Sequence, residues 1–337
     1  MAGWNVVFTP LISGKPWTGS TIYEEPLGGS EAAVAYLARE FARRGHTVSV
    51  YTHGQPGTFE GVTYKPVQDL NEGPPKCDIH ISSRWLDVLQ VSRGAVRVLW
   101  LHDLPQAPAR ELPANMVVAV SRFQATRWGL PVDTPEVAII GDGVDTTLFV
   151  GKEVRDMNRL LWVSNPDRGL YIASELFVKE VLPRWPDLRL HVYGRSSVYG
   201  WGPEAERYYL PPKEYVQAGL VVLHDPLPRL RLARELMKSW AVWYPTHWAE
   251  TFCMAALEAQ AAGTPVLATP IGALNETVKG GIIGWDMVNA VSQLRNKNRW
   301  KKLSEAGIEQ ASRFSWSAIA SQWEGAIARI AEGGHLL

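Results

Sequence analysis

Cys77 and Cys253 are the only cysteines in 337 residues. Two thiols so far apart exclude a disulfide scaffold and a cysteine-built zinc site, and they fit a reducing compartment. The sequence also lacks an apolar run of the roughly 18 residues that would span a bilayer. Its start, MAGWNVVFTP, has neither the charged nor the apolar region of a secretory leader. A cytoplasmic location, free or peripheral at a membrane, is the expectation. Net charge is absent as well, with 34 Lys and Arg against 34 Asp and Glu. Residues 1–150 lean acidic, 12 basic against 15. That disfavours a broad nucleic-acid surface there without excluding a local basic groove.

Several familiar motifs are missing too. Without G-x-x-x-x-G-K-[ST] a P-loop nucleotidase is disfavoured, and without G-x-G-x-x-G after the first strand so is a nicotinamide or flavin oxidoreductase. H-E-x-x-H, paired C-x-x-C and G-x-S-x-G are also absent.

What is present is core. Hydrophobic residues make up 46% and charged residues 20%, a globular composition long enough for two domains. Short β-rich segments alternate with helical patterns. Strands are expected at 5–8, 77–81, 97–101, 116–120 and 137–140, with HTVSVYT another. GGSEAAVAYLAREFARRG reads as a long helix with Val34, Leu37, Ala38 and Phe41 on one face and Gly45 as its C-terminal cap. The pattern restarts near residue 159 with strand RLLWVS, helix GLYIASELFVKEVLPRW and strand LRLHVYG, then strands LVVLHD, AVWYP and PVLATP. Such alternation predicts parallel sheets with helices on both faces. The divisions expected are 1–150, 151–315 and a C-terminal helix, 316–337, packing back toward the first domain, with 142–158 as the linker.

In open parallel sheets ligands bind at the carboxyl ends of the strands, and four groups of residues fall there. Gly28 and Gly29, with Ser30 at an expected N-cap, would expose backbone N–H groups to an anion; the same residues suit an ordinary capped loop. His102 and Asp103 end the strand VRVLWLH, where a histidine serves equally as a ligand contact or a structural hydrogen-bonder. Arg168 opens a helix in VSNPDRGLYIASELF, where a cation against the helix dipole suggests an anionic partner; a solvated arginine is the alternative. The fourth is THWAETFCMAALEAQAAGTPV. Glu250 lies in the loop after a strand, Phe252 and Cys253 stand at a helix start, and Glu258 lies within that helix. There a carboxylate could accept hydrogen bonds from the two hydroxyls of a ribose, or simply reach solvent.

The stretch ETFCMAALEAQAAGTPV resembles the E-x7-E motif of retaining GT-B glycosyltransferases, the group 1 or family four enzymes. Other segments resemble that family in the same order: GGSEAAVAYLAREFARRGHTVSVYT, VAVSRFQATRWG, IGDGVDTTLF, RGLYIASELF…LPRWPDLRLHVYG and PIGALNETV. The resemblance covers nearly the whole chain. It implies an α/β GT-B fold, two Rossmann-like domains with parallel sheets facing across a cleft, and a nucleoside-diphosphate sugar as donor substrate. It implies retention of configuration and no cofactor or metal. By position, Glu250 would bind the donor sugar, aided by the backbone at Thr251, Phe252 and Cys253, and Glu258 the ribose. Arg168 would contact the diphosphate, Gly29 the phosphate or sugar, and His102 the reacting sugar. Residues 193–195 and 223–225 would dock the base. Many members carry a second basic residue shortly before the Arg-Gly pair. WVSNPD has none, so either another residue, with Arg195 a candidate, neutralises the diphosphate, or Arg168 acts with helix N-termini alone.

The resemblance therefore implies a front-face transfer to an acceptor hydroxyl, with His102, Glu250 and Arg168 as the catalytic group. The alternatives are a silent nucleotide-sugar-binding protein, a GT-B epimerase or phosphorylase, and a glycosyltransferase of modified DNA bases. The acceptor (carbohydrate, lipid-linked glycan, small molecule or modified base) is not encoded in any motif found.

Overall fold

A computed structural model describes residues 3–11, 14–106 and 112–332. The chain forms two compact units, Met1–Gly143 together with Trp316–Leu337, and Val144–Ser315.

The first unit is built on eight strands: β1 (Asn5–Pro10), β2 (Thr47–Thr52), β3 (Gly57–Phe59), β4 (Val62–Pro66), β5 (Cys77–Ser83), β6 (Gly94–Trp100), β7 (Met116–Ala119) and β8 (Val137–Ile139). Their order is β3-β4-β2-β1-β5-β6-β7-β8. Every pairing is parallel except the β3–β4 hairpin. The helix Gly29–Arg43 buries Ala33, Leu37 and Phe41 completely, as the apolar periodicity requires. It stops where Gly45 turns left-handed at φ +91°. Its first residue is Gly29 with Gly28 at the cap, which corrects the expectation that Ser30 caps it. Ser30 is inside the helix, and its hydroxyl donates to Glu31 at 3.0 Å.

The helix Trp316–Glu332 also belongs to this unit. Trp316 stacks on Tyr36 with ring centroids 5.5 Å apart, and Trp323 meets Trp100 edge-on at 4.9 Å. Arg44 and His46 both bond Glu324, at 2.8 and 3.0 Å. The last helix is thus held by large aromatic area together with a polar clasp.

The second unit has six parallel strands: β9 (Asp156–Trp162), β10 (Arg189–Val192), β11 (Val221–Leu223), β12 (Ser239–Tyr244), β13 (Val266–Ala268) and β14 (Gly281–Ile283). The order β11-β10-β9-β12-β13-β14 is the 3-2-1-4-5-6 arrangement of a dinucleotide-type Rossmann sheet. Strands covered on both faces carry uniformly apolar side chains; all six residues of β12 are buried, and Trp162, Trp240 and Trp243 are wholly enclosed. β9 starts inside the expected linker because Arg155 anchors the chain there, donating to Thr264 Oγ1 at 2.7 Å and the Ala262 carbonyl at 3.0 Å. The expected helix after β9 is α-helical only over Leu170–Leu176. It then widens, with Leu182 N–H bonding the Phe177 carbonyl at 3.0 Å, five residues back.

No helix among the described residues is long and apolar enough to cross a membrane.

Candidate active site

In the second unit the direction of strand succession reverses between β9 and β12, and at such a switch point the loops leaving adjacent strands diverge and open a crevice. Ser164, Asn165 and the turn Pro166–Arg168 leave β9; Tyr244, Thr246, Trp248 and Glu250 leave β12.

Glu250 is held from several directions. The hydroxyl of Tyr244, the last residue of β12, donates to its carboxylate and also lies 3.1 Å from Ser164 Oγ. The Glu250 N–H bonds the Trp248 carbonyl at 3.0 Å, and its own carbonyl accepts from Ala273 N–H at 2.8 Å. Gly272 makes this approach feasible: at φ +65° it runs so near Glu250 that a Cβ would fall 2.4 Å from the Glu250 carbonyl oxygen. Burial pushes the Glu250 carboxyl above its usual range, while Arg168 and the Tyr244 hydroxyl pull it back down. A partly protected carboxylate with one oxygen engaged by tyrosine keeps acceptor capacity for further hydrogen-bond donors.

Arg168 sits in a short 3-10 turn before the helix, which begins at Leu170 rather than at Arg168 itself. Gly169, at φ +112°, joins the two, and a Cβ there would strike His247 Nδ1 at 2.7 Å. The Arg168 guanidinium lies over the Trp248 ring at 3.9 Å and has Asp167 3.4 Å from Nε. Burial alone would lower its pKa, but Glu250, Tyr244, Tyr199 and Asp167 raise it on balance, so it remains a cation. Its carbonyl accepts from Thr246 Oγ1 at 2.5 Å, and the same hydroxyl receives the Trp248 N–H at 2.9 Å. One threonine therefore ties the two loops together.

Phe252 and Cys253 lead into the helix Met254–Ala261, with Cys253 at its cap. Cys253 has φ +75°, a left-handed backbone that costs a non-glycine residue about 1–3 kcal/mol. The conformation is fixed by neighbours: Thr277 Oγ1 donates to the Phe252 carbonyl at 2.5 Å, and the Phe252 ring packs on Phe314 at 5.6 Å. Glu258, further along the helix, forms a largely buried ion pair with Arg229, the first residue of the helix Arg229–Lys238. Arg195 pairs with Glu206 at 2.9 Å, and Glu206 also accepts the Ser196 N–H at 2.7 Å. Tyr193, just past β10, stacks on His224, just past β11, at 4.4 Å, and His191 within β10 stacks on His224 at 5.1 Å.

In the first unit Gly28 and Gly29 start the long helix, and Arg84, leaving β5 at φ +68°, reaches Ser30 Oγ at 3.3 Å and Asp103 at 2.7 Å. His102, after β6, lies 3.9 Å from Asp142 and against Trp100, ring centroids 4.7 Å apart. Burial, with Arg84 adding, lowers its pKa to about 3, so the imidazole is neutral. Among the described residues no cluster of metal-ligating side chains occurs.

The sequence motifs thus bring Glu250 and Arg168 within electrostatic reach of each other. They did not reveal Tyr244, Thr246, Trp248, Gly272, Arg84 or Arg229. The signals were the tyrosine in AVWYP, a glycine in PIGALNETV and a tryptophan two places before Glu250; each acquires meaning only once the fold sets it beside its partner.

Solved structures with the same architecture include sucrose-phosphate synthase from Thermosynechococcus elongatus, with a TM-score of 0.72, 18% identity and coverage of 98% of this chain and 100% of that one. Another is Anabaena Alr3699/HepE in complex with UDP-glucose, at 0.69, 16%, 97% and 99%. The fold is GT-B. The family model for Glycosyl transferases group 1 matches residues 157–313. A D-inositol 3-phosphate glycosyltransferase of Stackebrandtia nassauensis is 34% identical over 93% of this chain and 88% of that protein. The chain belongs to the group 1 glycosyl transferase family. It spans 61% of the length of the similarly named Corynebacterium aurimucosum protein, to which it is 26% identical over 66% of its own residues.

Proposed function

We propose that the chain transfers a sugar from a nucleoside-diphosphate donor to an acceptor hydroxyl, with retention of anomeric configuration. The observation that carries this reading is the pairing of a hydroxyl-accepting carboxylate, Glu250, with a cation, Arg168, at the switch point between β9 and β12. Group 1 family membership and the UDP-glucose complex of the Anabaena protein support the donor class.

As the glycosidic bond breaks, negative charge gathers on the departing diphosphate. Arg168 and the backbone amides at Thr251, Phe252 and Cys253 stabilise it electrostatically, a role given to them rather than to a metal ion. Glu250 holds the hydroxyls of the transferred sugar as positive charge develops on the ring. The acceptor hydroxyl attacks the same face that the phosphate leaves, and the phosphate oxygen takes its proton. Glu258 accepts the ribose hydroxyls, with Arg229 keeping its carboxylate oriented. Beyond β10, Arg195 is paired with Glu206 and offers its remaining N–H groups rather than a net charge. Within the first unit, the helix start at Gly28 and Gly29 suits an anion, and the neutral His102 suits a hydrogen bond with a hydroxyl.

A thermal-shift screen against UDP-, GDP-, ADP- and dTDP-sugars tests the donor class, since a bound donor raises the melting temperature by mass action. Transfer or hydrolysis of the donor so found, with NMR of the product anomer, tests the reaction. A flat screen, or inversion of configuration, would overturn the proposal, and binding without turnover would mark a silent nucleotide-sugar-binding protein.

A further inference from the structure

We infer that Trp248 is a positioning residue for the donor diphosphate, acting through Arg168. This rests on the reading of Arg168 as the diphosphate-binding cation. Trp248 is 41% exposed, far from the enclosed state of the three core tryptophans of the same unit, so its indole is not retained for packing the sheet. Its face instead lies 3.9 Å from the Arg168 guanidinium carbon, close enough for a strong cation–π contact.

The contact has consequences for where the cation points. An arginine side chain has many rotamers, and each one frozen on binding costs affinity. Here the guanidinium face is covered by the indole and its Nε edge faces Asp167 at 3.4 Å. The terminal amino groups are then the donors presented to an anion, in a plane fixed before the ligand arrives. The backbone that carries the platform is tied to the Arg168 loop, because Trp248 N–H bonds Thr246 Oγ1, which donates to the Arg168 carbonyl. Trp248 also carries the carbonyl that receives the Glu250 N–H. One residue thus connects the cation for the diphosphate with the carboxylate for the sugar.

The test is a double-mutant cycle read by calorimetric titration with UDP, GDP, ADP and dTDP in parallel. For the nucleotide that binds the wild-type protein, Trp248→Leu should weaken affinity about tenfold, while Trp248→Phe, which keeps an aromatic face, should stay within about threefold. In an Arg168→Ala background, Trp248→Leu should change affinity less than about twofold. Equal losses in both backgrounds would show that Trp248 does not act through Arg168 and would overturn the inference. So would an unchanged affinity in Trp248→Leu when Arg168→Ala alone weakens binding. If Arg168→Ala leaves affinity intact, or if none of the four binds the wild-type chain, the proposed function of Arg168 fails and this inference falls with it. Melting temperatures of the variants close to wild type confirm that the comparison is between folded proteins.

Discussion

The Tyr244 hydroxyl, at the end of β12, donates to the Glu250 carboxylate and thereby fixes the orientation of the acid six residues further along the chain. A hydrogen bond to a charged acceptor contributes about 1.5–3 kcal/mol. Tyr244→Phe is accordingly expected to lower kcat/KM for transfer by roughly tenfold or more while the fold persists. Glu250→Ala should remove transfer altogether. Steady-state kinetics on the donor chosen by the thermal-shift screen checks both, and near-normal turnover in Glu250→Ala would remove the acid from the mechanism.

Burial raises the pKa of Glu250, and only the ionised form accepts hydrogen bonds at both oxygens. Activity should therefore fall on acidification with an acidic limb above the ordinary glutamate range near pH 4.5. In Glu250→Gln, whose residual rate is measurable with excess enzyme, that limb should vanish. A limb of unchanged position would assign it to another group.

Gly272 is the hinge on which Glu250 is set. A methyl group there would sit 2.4 Å from a backbone oxygen in a left-handed conformation, so Gly272→Ala should cost about 1–3 kcal/mol of stability. Chemical denaturation measures it. A loss under about 0.5 kcal/mol would show that the loop relaxes freely.

The Arg229–Glu258 pair is largely buried. Arg229→Leu strands a carboxylate and should destabilise by about 3–5 kcal/mol, whereas Arg229→Leu with Glu258→Met should recover most of that loss. Nucleotide affinity should drop in both variants. A double variant no more stable than the single one would mean that the pair contributes more than mutual neutralisation.

His80, at about 4, His102, at about 3, and His191, at about 4, are all held below their ordinary pKa of 6.5, chiefly by burial. The unfolded chain takes up their protons first as pH falls. Stability is full above about pH 6.5 and declines from there toward pH 4. Melting temperatures across that window should slope downward with acid, less steeply in His80→Gln. A flat profile would contradict imidazoles held neutral by the fold.

Much of this was legible in the sequence because strands with both faces covered and a helix with one apolar stripe leave regular signatures; Val34, Leu37, Ala38 and Phe41 are all buried as their spacing implies. β3 (GTF) and β14 (GII) are three residues long, each opening on a glycine, and leave no apolar run to detect, unlike the equally short β8, β11 and β13. The helix start at Gly29 was misplaced because a serine is a better cap by chemistry than a glycine, whereas here the cap position belongs to Gly28. Within the candidate site, Glu250, Arg168 and Glu258 stood out as charges in odd places. Their holders did not: Tyr244, Gly272 and Arg229 are unremarkable residues until the fold sets each beside its partner.

β9 and β12 are hydrogen-bonded neighbours in the sheet, yet the chain places β10 and β11 between them in order. On a growing polypeptide, the Arg168 loop emerges long before the Glu250 loop that completes the crevice. On the proposed function, a nascent chain that lacks β12 therefore holds the cation for the diphosphate without the carboxylate for the sugar. The Glu250 loop is held in turn by Ala273, after β13, so on the same reading nucleotide-dependent protection from proteolysis would report that synthesis has passed that residue.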